Sequence, residues 1–164
     1  MKVTPLLLLA IAALIVGLSG CASENDSFVT SFKEKATHSL DSNHPEVNLT
    51  SLTDFAWDRI HIFGPYTPAK TVKETLGYDW PEADRTGLEM SDGFTLLVFE
   101  SKGQVAKHFM LQRSIEFEGI TNPFSASVEG SSFHVRQESS GNSVRLILNP
   151  ILKEVAPLGG SLRR

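Results

Sequence analysis

Apolar residues at every fourth position predict a helix near the start of the folded part of the chain. The repeat consists of Phe28, Phe32, Ala36 and Leu40. This spacing forms one apolar stripe along a helix. Ser27 is a suitable N-cap, because a serine hydroxyl accepts a hydrogen bond from a free N–H of the first turn. We therefore expect the helix to run to about Ser39, followed by a linker over 41–46.

Apolar runs farther along predict a series of strands. Residues 94–99 are apolar on both faces, which indicates a central strand, and the turn at 101–103 predicts a hairpin. Other strands are expected at 56–63, 104–113, 115–117, 133–136 and 144–148. A turn at 139–142 joins the last two strands, and a short helix is expected to begin at Asn149–Pro150.

A second helix is predicted between the first two long strands. Thr67 and Pro68 give a capping residue followed by proline at the first helical position, and Gly77 marks the end of the helix. A long polar loop follows over 78–93. Strands joined by tight turns pair antiparallel. The chain therefore predicts an α+β domain, with an antiparallel sheet of about five or six strands and two or three helices packed on one side.

The first twenty residues have the three parts of a secretory signal peptide. Met1 and Lys2 form a short positive start, 6–16 is continuously apolar, and 17–20 is small and turn-prone. An apolar core of roughly 7–15 residues is too short to span a bilayer stably. The sequence therefore predicts a cleaved signal peptide over 1–20.

The signal peptide leads into Leu18-Ser19-Gly20-Cys21, and Cys21 is the only cysteine in the chain. This segment resembles the lipobox of bacterial lipoproteins, in which a leucine and two small residues precede a cysteine. The resemblance implies cleavage before Cys21, a lipid thioether on its sulfur, and fatty acid such as palmitate on its new amino group. Two or more acyl chains hold a protein firmly at a membrane, at about 0.8 kcal/mol per buried methylene. A plain signal peptide or a membrane anchor that happens to contain Cys21 is the alternative.

The residue after the cysteine bears on the membrane that the lipid enters. In lipoproteins of two-membrane bacteria, aspartate at this position favours retention at the inner membrane. The chain has Ala22 there, so the resemblance implies the inner face of the outer membrane, facing the periplasm. We expect a lipidated tether over 21–27, a single domain over 28–155, and a flexible C-terminal tail over 156–164.

Charge and cysteine content exclude several functions. Loss of the signal peptide removes Lys2 alone, so the net charge changes from −4 to −5. The only basic pair is Arg163-Arg164, so nucleic acid and anionic headgroups are not expected partners. A lipidated Cys21 leaves no thiol for catalysis. No nucleophile elbow, zinc-protease helix or phosphate loop occurs.

The segment FAWDRIHIFGPYTP, residues 55–68, is the most distinctive internal stretch. It resembles a motif of small exported bacterial lipoproteins in which W-D-[KR] precedes F-x-P-Y-[ST], a short helix and L-G…W; no activity comes with this resemblance. The candidate binding surface taken from it is Asp58, Arg59, Tyr66 and Trp80. The structural alternative is that Trp57, Phe63 and Tyr66 pack the second helix on the sheet, while Asp58 or Arg59 fixes a loop.

Metal and cofactor sites are not expected. His61, His108 and His134 fall on predicted strands and could meet as zinc ligands only if those strands were neighbours. The acidic stretch 79–84, with Glu89 and Asp92, lacks the alternating spacing of a calcium loop. We expect outward-facing histidines, a solvated acidic loop, and no cofactor.

Two function classes remain. The first is a membrane-anchored, non-catalytic module that binds a protein or another ligand of the bacterial envelope. The second is a small envelope hydrolase with a site that no sequence motif reveals. The absence of catalytic motifs favours the first. An exposed apolar patch beside the 78–93 loop would support it, whereas an acid–base pair in a pocket would support the second.

Overall fold

The computed structural model describes residues 23–151. Two α-helices and eight strands make up its regular structure: α1 (Glu24–Ser39), β1 (Glu46–Asn48), β2 (Arg59–Phe63), α2 (Ala69–Leu76), β3 (Phe94–Ser101), β4 (Gln104–Gln112), β5 (Ile115–Phe117), β6 (Phe124–Ser127), β7 (Ser132–Ser140) and β8 (Ser143–Pro150). Short 3-10 helices lie at Leu49–Leu52, Pro81–Arg85, Leu88–Met90 and Val128–Gly130. The predicted signal peptide, Cys21 and the C-terminal tail lie outside the described residues. Within residues 23–151, none of the helices is both long and apolar enough to cross a membrane.

The eight strands form two sheets of four. The first sheet has the order β1-β7-β8-β5 and the second has the order β4-β3-β2-β6. Among the described residues, β5 and β8 form the one parallel pair, and every other pairing is antiparallel. The α+β class and the antiparallel pairing are confirmed. The strands are divided between two sheets, where the sequence suggested a single sheet of five or six.

The first helix begins one turn earlier than its apolar stripe suggested. Ser23, rather than Ser27, is the N-cap, and its hydroxyl accepts a hydrogen bond from the backbone N–H of Asp26 at 3.1 Å. Glu24 and Asp26 in the first turn favour this start, because negative charge is stabilised at a helix N-terminus. Residues 24–27, expected in the tether, are therefore helical. The buried stripe of Phe28, Phe32 and Ala36 is confirmed.

The main core contains α1 and residues from both sheets. Phe28 stacks on Phe109 of β4 with ring centroids 3.7 Å apart, and Trp57 meets Phe99 of β3 edge to face at 5.2 Å. The predicted strand over 56–63 begins only at Arg59, and the irregular chain before it lets Trp57 join the same core as Ile60 and Ile62.

A second, smaller core lies on the other face of the β4-β3-β2-β6 sheet. Alternate residues of a strand point to opposite faces, so Leu97 and Phe99 enter the main core while Leu96 and Val98 enter the second. α2 covers this second face through Val72. The two helices therefore pack into different cores rather than on a common side. Phe63 packs under α2 as expected, but Trp57 does not.

Of two predicted helix boundaries, the end of α2 is confirmed and the start of a C-terminal helix is wrong. Gly77 ends α2 in the left-handed conformation, with φ of 82°, which glycine adopts without steric cost and which confirms the predicted stop. The helix expected to begin at Asn149–Pro150 is wrong within the described residues. β8 continues through Pro150, where Asn149 lies opposite His134 and Pro150 lies opposite Phe133 of β7.

Candidate functional site

A buried acid–base pair lies on the second face of the β4-β3-β2-β6 sheet. His61 in β2 and Glu100 in β3 are only 2% and 7% exposed. His61 Nε2 lies 2.7 Å from Glu100 Oε2. A buried ionisable group is tolerated when a partner satisfies it, and here each group is a partner of the other.

Two further side chains complete this polar cluster. The hydroxyl of Ser125 lies 2.7 Å from His61 Nδ1, and the hydroxyl of Tyr78 donates to Glu100 Oε1 at 3.0 Å. Burial, the hydrogen bond to Glu100 and the charge of Glu100 together raise the pKa of Tyr78 to about 12. Tyr78 therefore remains a neutral hydrogen-bond donor at neutral pH.

Strand register brings Ser125 to the imidazole. β6 pairs with β2 so that Ser125 lies directly opposite His61. β6 is the edge strand of its sheet, and Ser125 is exposed there. The cluster therefore runs from buried Glu100 through buried His61 to a hydroxyl at the surface. We call Ser125, His61, Glu100 and Tyr78 the buried relay.

Sequence reasoning named His61 but expected it to face outward, which is wrong because the side chain is buried against Glu100, and it missed the partners of the ring. Glu100 is 39 residues away from His61 and Ser125 is 64 residues away, so no local motif joins them. The usable signal was Glu100 itself, a carboxylate that directly follows the apolar run 94–99 in a central strand. Charged residues are almost never buried unless they are paired.

A cleft opens between the ends of the two sheets. Its volume is about 320 Å³, and its apolar lining includes Ile62, Phe94, Phe117 and Ile120. Asn122 forms part of its wall, where the side-chain oxygen accepts the backbone N–H of Gly64 at 2.9 Å. We call this feature the inter-sheet cleft.

The charged groups of the inter-sheet cleft neutralise one another. Arg113 lies 3.5 Å from both Asp92 and Glu116, and Arg145 contacts Glu116 at 2.8 Å. Asp92, Arg113 and Glu116 line the cleft, and Arg145, which lies outside its lining, adds the second positive charge. The cleft is suited to an apolar group with polar edges rather than to a strongly charged one.

Four exposed apolar side chains lie on or next to segments that line the inter-sheet cleft. The large apolar residues exposed in the described chain are Tyr66 at 61%, Met90 at 84%, Phe94 at 37% and Val144 at 53%. The backbone N–H of Tyr66 donates to Leu88 and Ser91, on either side of Met90. Phe94 lines the cleft, and Val144 lies beside the cleft residue Arg113 in a neighbouring depression. We call Tyr66, Met90, Phe94 and Val144 the apolar rim.

The four residues of the candidate binding surface are not brought together. Asp58 and Arg59 lie at the start of β2, whereas Tyr66 follows its far end. Asp58 accepts the backbone N–H of Lys102 at 2.8 Å, which fixes the β3–β4 turn as the structural alternative proposed. Trp80 is buried in the second core, with its ring 5.0 Å from that of His108. Tyr66 is exposed and follows the cleft residue Pro65, so it does not pack α2 on the sheet.

The three strand histidines do not converge. His61 and His108 both lie opposite Val98, on the strands that flank β3, and His134 lies on the other sheet with Glu46 at 3.5 Å. Two strand spacings of about 4.8 Å each separate His61 from His108. In the part of the chain that the structure describes, no group of three or more His, Cys, Asp or Glu residues is arranged to hold a metal.

The acidic loop is held by basic side chains. Lys73 of α2 lies 2.9 Å from Asp79 and 2.6 Å from Asp84, and these carboxylates raise the pKa of Lys73. Glu82 pairs with Arg85. The Lys73 contacts join the loop to α2, and the pair of Glu82 and Arg85 lies within the loop.

Comparison with known proteins gives no further assignment: no family model, no curated protein and no solved structure matches the chain. The fold and the site geometry therefore define an α+β domain with two distinct features, the inter-sheet cleft and the buried relay.

Proposed function

We propose that the protein is a bacterial lipoprotein, anchored through lipid on Cys21, whose domain binds a protein partner of the envelope. The lipobox-like segment supports the anchor, and Ala22 supports a position at the inner face of the outer membrane. The net charge of −4 argues against nucleic acid and anionic lipid as partners of the folded domain.

The apolar rim is the observation that carries the binding function. Its members are exposed apolar side chains on or next to the segments that line the inter-sheet cleft, and exposed apolar surface marks interaction sites in soluble domains. Met90 lies in the 78–93 loop, and Phe94 directly follows that loop. An apolar side chain of the partner enters the inter-sheet cleft, while Tyr66 and Met90 cover its flanks.

Photo-crosslinking in intact cells tests this function. A photoreactive amino acid replaces Met90, and the matched control carries it at Lys102, in the turn at the opposite end of β3. We expect one discrete crosslinked protein from position 90 and none from position 102. Equal crosslinking from both positions, or none from either, would contradict the proposal.

Substitutions at the rim supply the second half of the test. In this second experiment the photoreactive amino acid replaces Tyr66. Met90→Ser and Phe94→Ser remove exposed apolar surface, so they should abolish the crosslink from position 66 while leaving the melting temperature close to that of the wild type. Gln104→Ser, at the opposite end of the sheet, is the control and should leave the crosslink unchanged. A crosslink that survives both rim substitutions would exclude the cleft as the binding site.

A further inference from the structure

We propose that the buried relay is a serine-nucleophile site for acyl transfer, in which Ser125 attacks an ester, His61 moves the proton, and Glu100 and Tyr78 position the imidazole. This inference goes beyond the proposed binding function and concerns the opposite face of the β4-β3-β2-β6 sheet. It assigns to named residues the hydrolase activity that the sequence left without a site.

The hydrogen bonds of Glu100 indicate which nitrogen of the His61 ring carries a proton. Glu100, as a carboxylate, accepts from the Tyr78 hydroxyl through Oε1 and from His61 Nε2–H through Oε2. A neutral imidazole with its proton on Nε2 has its lone pair on Nδ1. That lone pair faces the Ser125 hydroxyl at 2.7 Å. These contacts fit the neutral imidazole tautomer that accepts a proton from serine, which is the tautomer that the proposal uses.

Burial and exposure are distributed as this chemistry requires. The His61–Glu100 pair is removed from water, which strengthens its electrostatic coupling. Ser125 is exposed on an edge strand, so a substrate reaches its hydroxyl from solvent.

The arrangement meets the functional definition of a catalytic triad with the two ring nitrogens exchanged. In the familiar triad the hydroxyl contacts Nε2 and the carboxylate contacts Nδ1. Here Ser125 contacts Nδ1 and Glu100 contacts Nε2. Because either nitrogen is a base when the other carries the proton, the exchange preserves the chemistry.

The proposed reaction is hydrolysis of an ester, with water as the second reactant. Ser125 Oγ bonds to the carbonyl carbon while its proton moves to His61 Nδ1. The bond from that carbon to the leaving oxygen then breaks, and the leaving group takes the proton from Nδ1 and departs as an alcohol. Water attacks the acyl-serine and gives a proton to Nδ1. The acyl–Oγ bond breaks, Oγ regains the proton, and a carboxylic acid is released.

The chain provides a matched control serine two residues away. Ser127 is also exposed on β6 and lies on the same face as Ser125, opposite Arg59. Its hydroxyl donates to Glu129 at 2.7 Å rather than to an imidazole. Ser127→Ala therefore makes the same chemical change on the same strand outside the relay.

The experiment uses the full chain in detergent with a fluorescent alkyl fluorophosphonate, followed by hydrolysis of p-nitrophenyl butyrate. We expect one phosphonyl adduct, located at Ser125 by mass spectrometry, and loss of both labelling and hydrolysis in Ser125→Ala by about 100-fold or more. Ser127→Ala should behave as the wild type. No labelling of the wild type, an adduct at another residue, or equal labelling of Ser125→Ala would overturn the proposal.

The Glu100→Gln variant tests whether Ser125 is labelled because the buried relay activates it or only because it is exposed. It retains the shape of the side chain but removes the carboxylate that favours a proton on Nε2, so labelling of Ser125 should fall by at least about tenfold while circular dichroism still reports a folded domain. Unchanged labelling of folded Glu100→Gln would overturn the role of the relay. None of these measurements depends on the inter-sheet cleft, so failure here leaves the proposed binding function standing, and the reverse is also true.

Discussion

Tyr78 offers a direct test of the buried relay in solution. Its pKa is raised from 10.0 to about 12, first by burial and then by the hydrogen bond to Glu100 and the charge of that carboxylate. The chain has only two tyrosines, Tyr66 and Tyr78. In the Tyr66→Phe variant, Tyr78 is the only phenol left to titrate.

The direction of the stability effect follows from the sign of the pKa shift. A raised pKa means that the folded state holds the phenol proton more tightly than the unfolded state does. The resulting stabilisation is full below about pH 10 and is lost as the pH rises toward about 12. Two pKa units correspond to ~2.7 kcal/mol, and solvent screening of the partly exposed ring reduces this to about 1–2 kcal/mol.

The assay follows phenolate absorbance and near-ultraviolet circular dichroism together, so that titration is measured on folded protein. We expect the Tyr66→Phe variant to titrate near pH 12, and addition of Glu100→Gln to lower that midpoint because the negative charge is lost. Urea unfolding at several pH values should show that Tyr78→Phe lacks the loss of stability between about pH 10 and 12. A Tyr78 midpoint near 10.0 in the folded Tyr66→Phe variant would refute the proposed contact and burial.

Three further predictions concern the anchor, the main core and the sheet edge. Cys21→Ser should leave the signal peptide uncleaved at that site and abolish incorporation of labelled palmitate, and palmitate in the variant would disprove lipidation there. Trp57→Ala should reduce the free energy of unfolding by about 3–5 kcal/mol, measured by urea denaturation, because the ring is buried against the core; wild-type stability would contradict its core position. Asn25→Ala should reduce the free energy of unfolding by about 1–2 kcal/mol in the same assay, because the Asn25 amide makes two hydrogen bonds to the backbone of Met110 on the outer edge of β4. An unchanged urea midpoint would show that these bonds contribute nothing to stability.

The elements that could be predicted are those with a strong local signal. The run 94–99 lies in a central strand, and the turn at 101–103 joins β3 to β4, because continuous apolarity and turn chemistry act over a few residues. β1 and β6 were missed, since three or four residues carry too little periodicity to detect. Their ladders form only because a neighbouring strand in the sheet offers unpaired backbone groups.

The division into two sheets could not be predicted for a similar reason. β5 follows β4 in the chain, yet it pairs in parallel with β8, about thirty residues farther on. The choice depends on which face of each strand the main core buries, and the local sequence does not encode it. The buried relay has the same origin, because Ser125 meets His61 only when β6 takes its place beside β2.

The four residues of the candidate binding surface lie apart for a physical reason as well. Its residues were chosen because they share one short motif, but a strand of five residues extends for about 16 Å, so residues at its two ends face different surroundings. Tyr66 follows the cleft residue Pro65, whereas Asp58 fixes a turn at the other end. Proximity in sequence was therefore a poor guide to proximity on the surface.

The start of α1 has a consequence for how the domain can move. Only Ala22 and Ser23 separate Cys21 from the helix that begins at Glu24. A fully extended residue spans at most about 3.6 Å, so Cys21 and Glu24, which are three residues apart, can be separated by at most about 11 Å. If Cys21 carries lipid, the domain would therefore lie close to the bilayer surface. A partner of the proposed lipid-anchored protein would then have to bind close to the membrane, because a tether of this length keeps the domain near the bilayer surface.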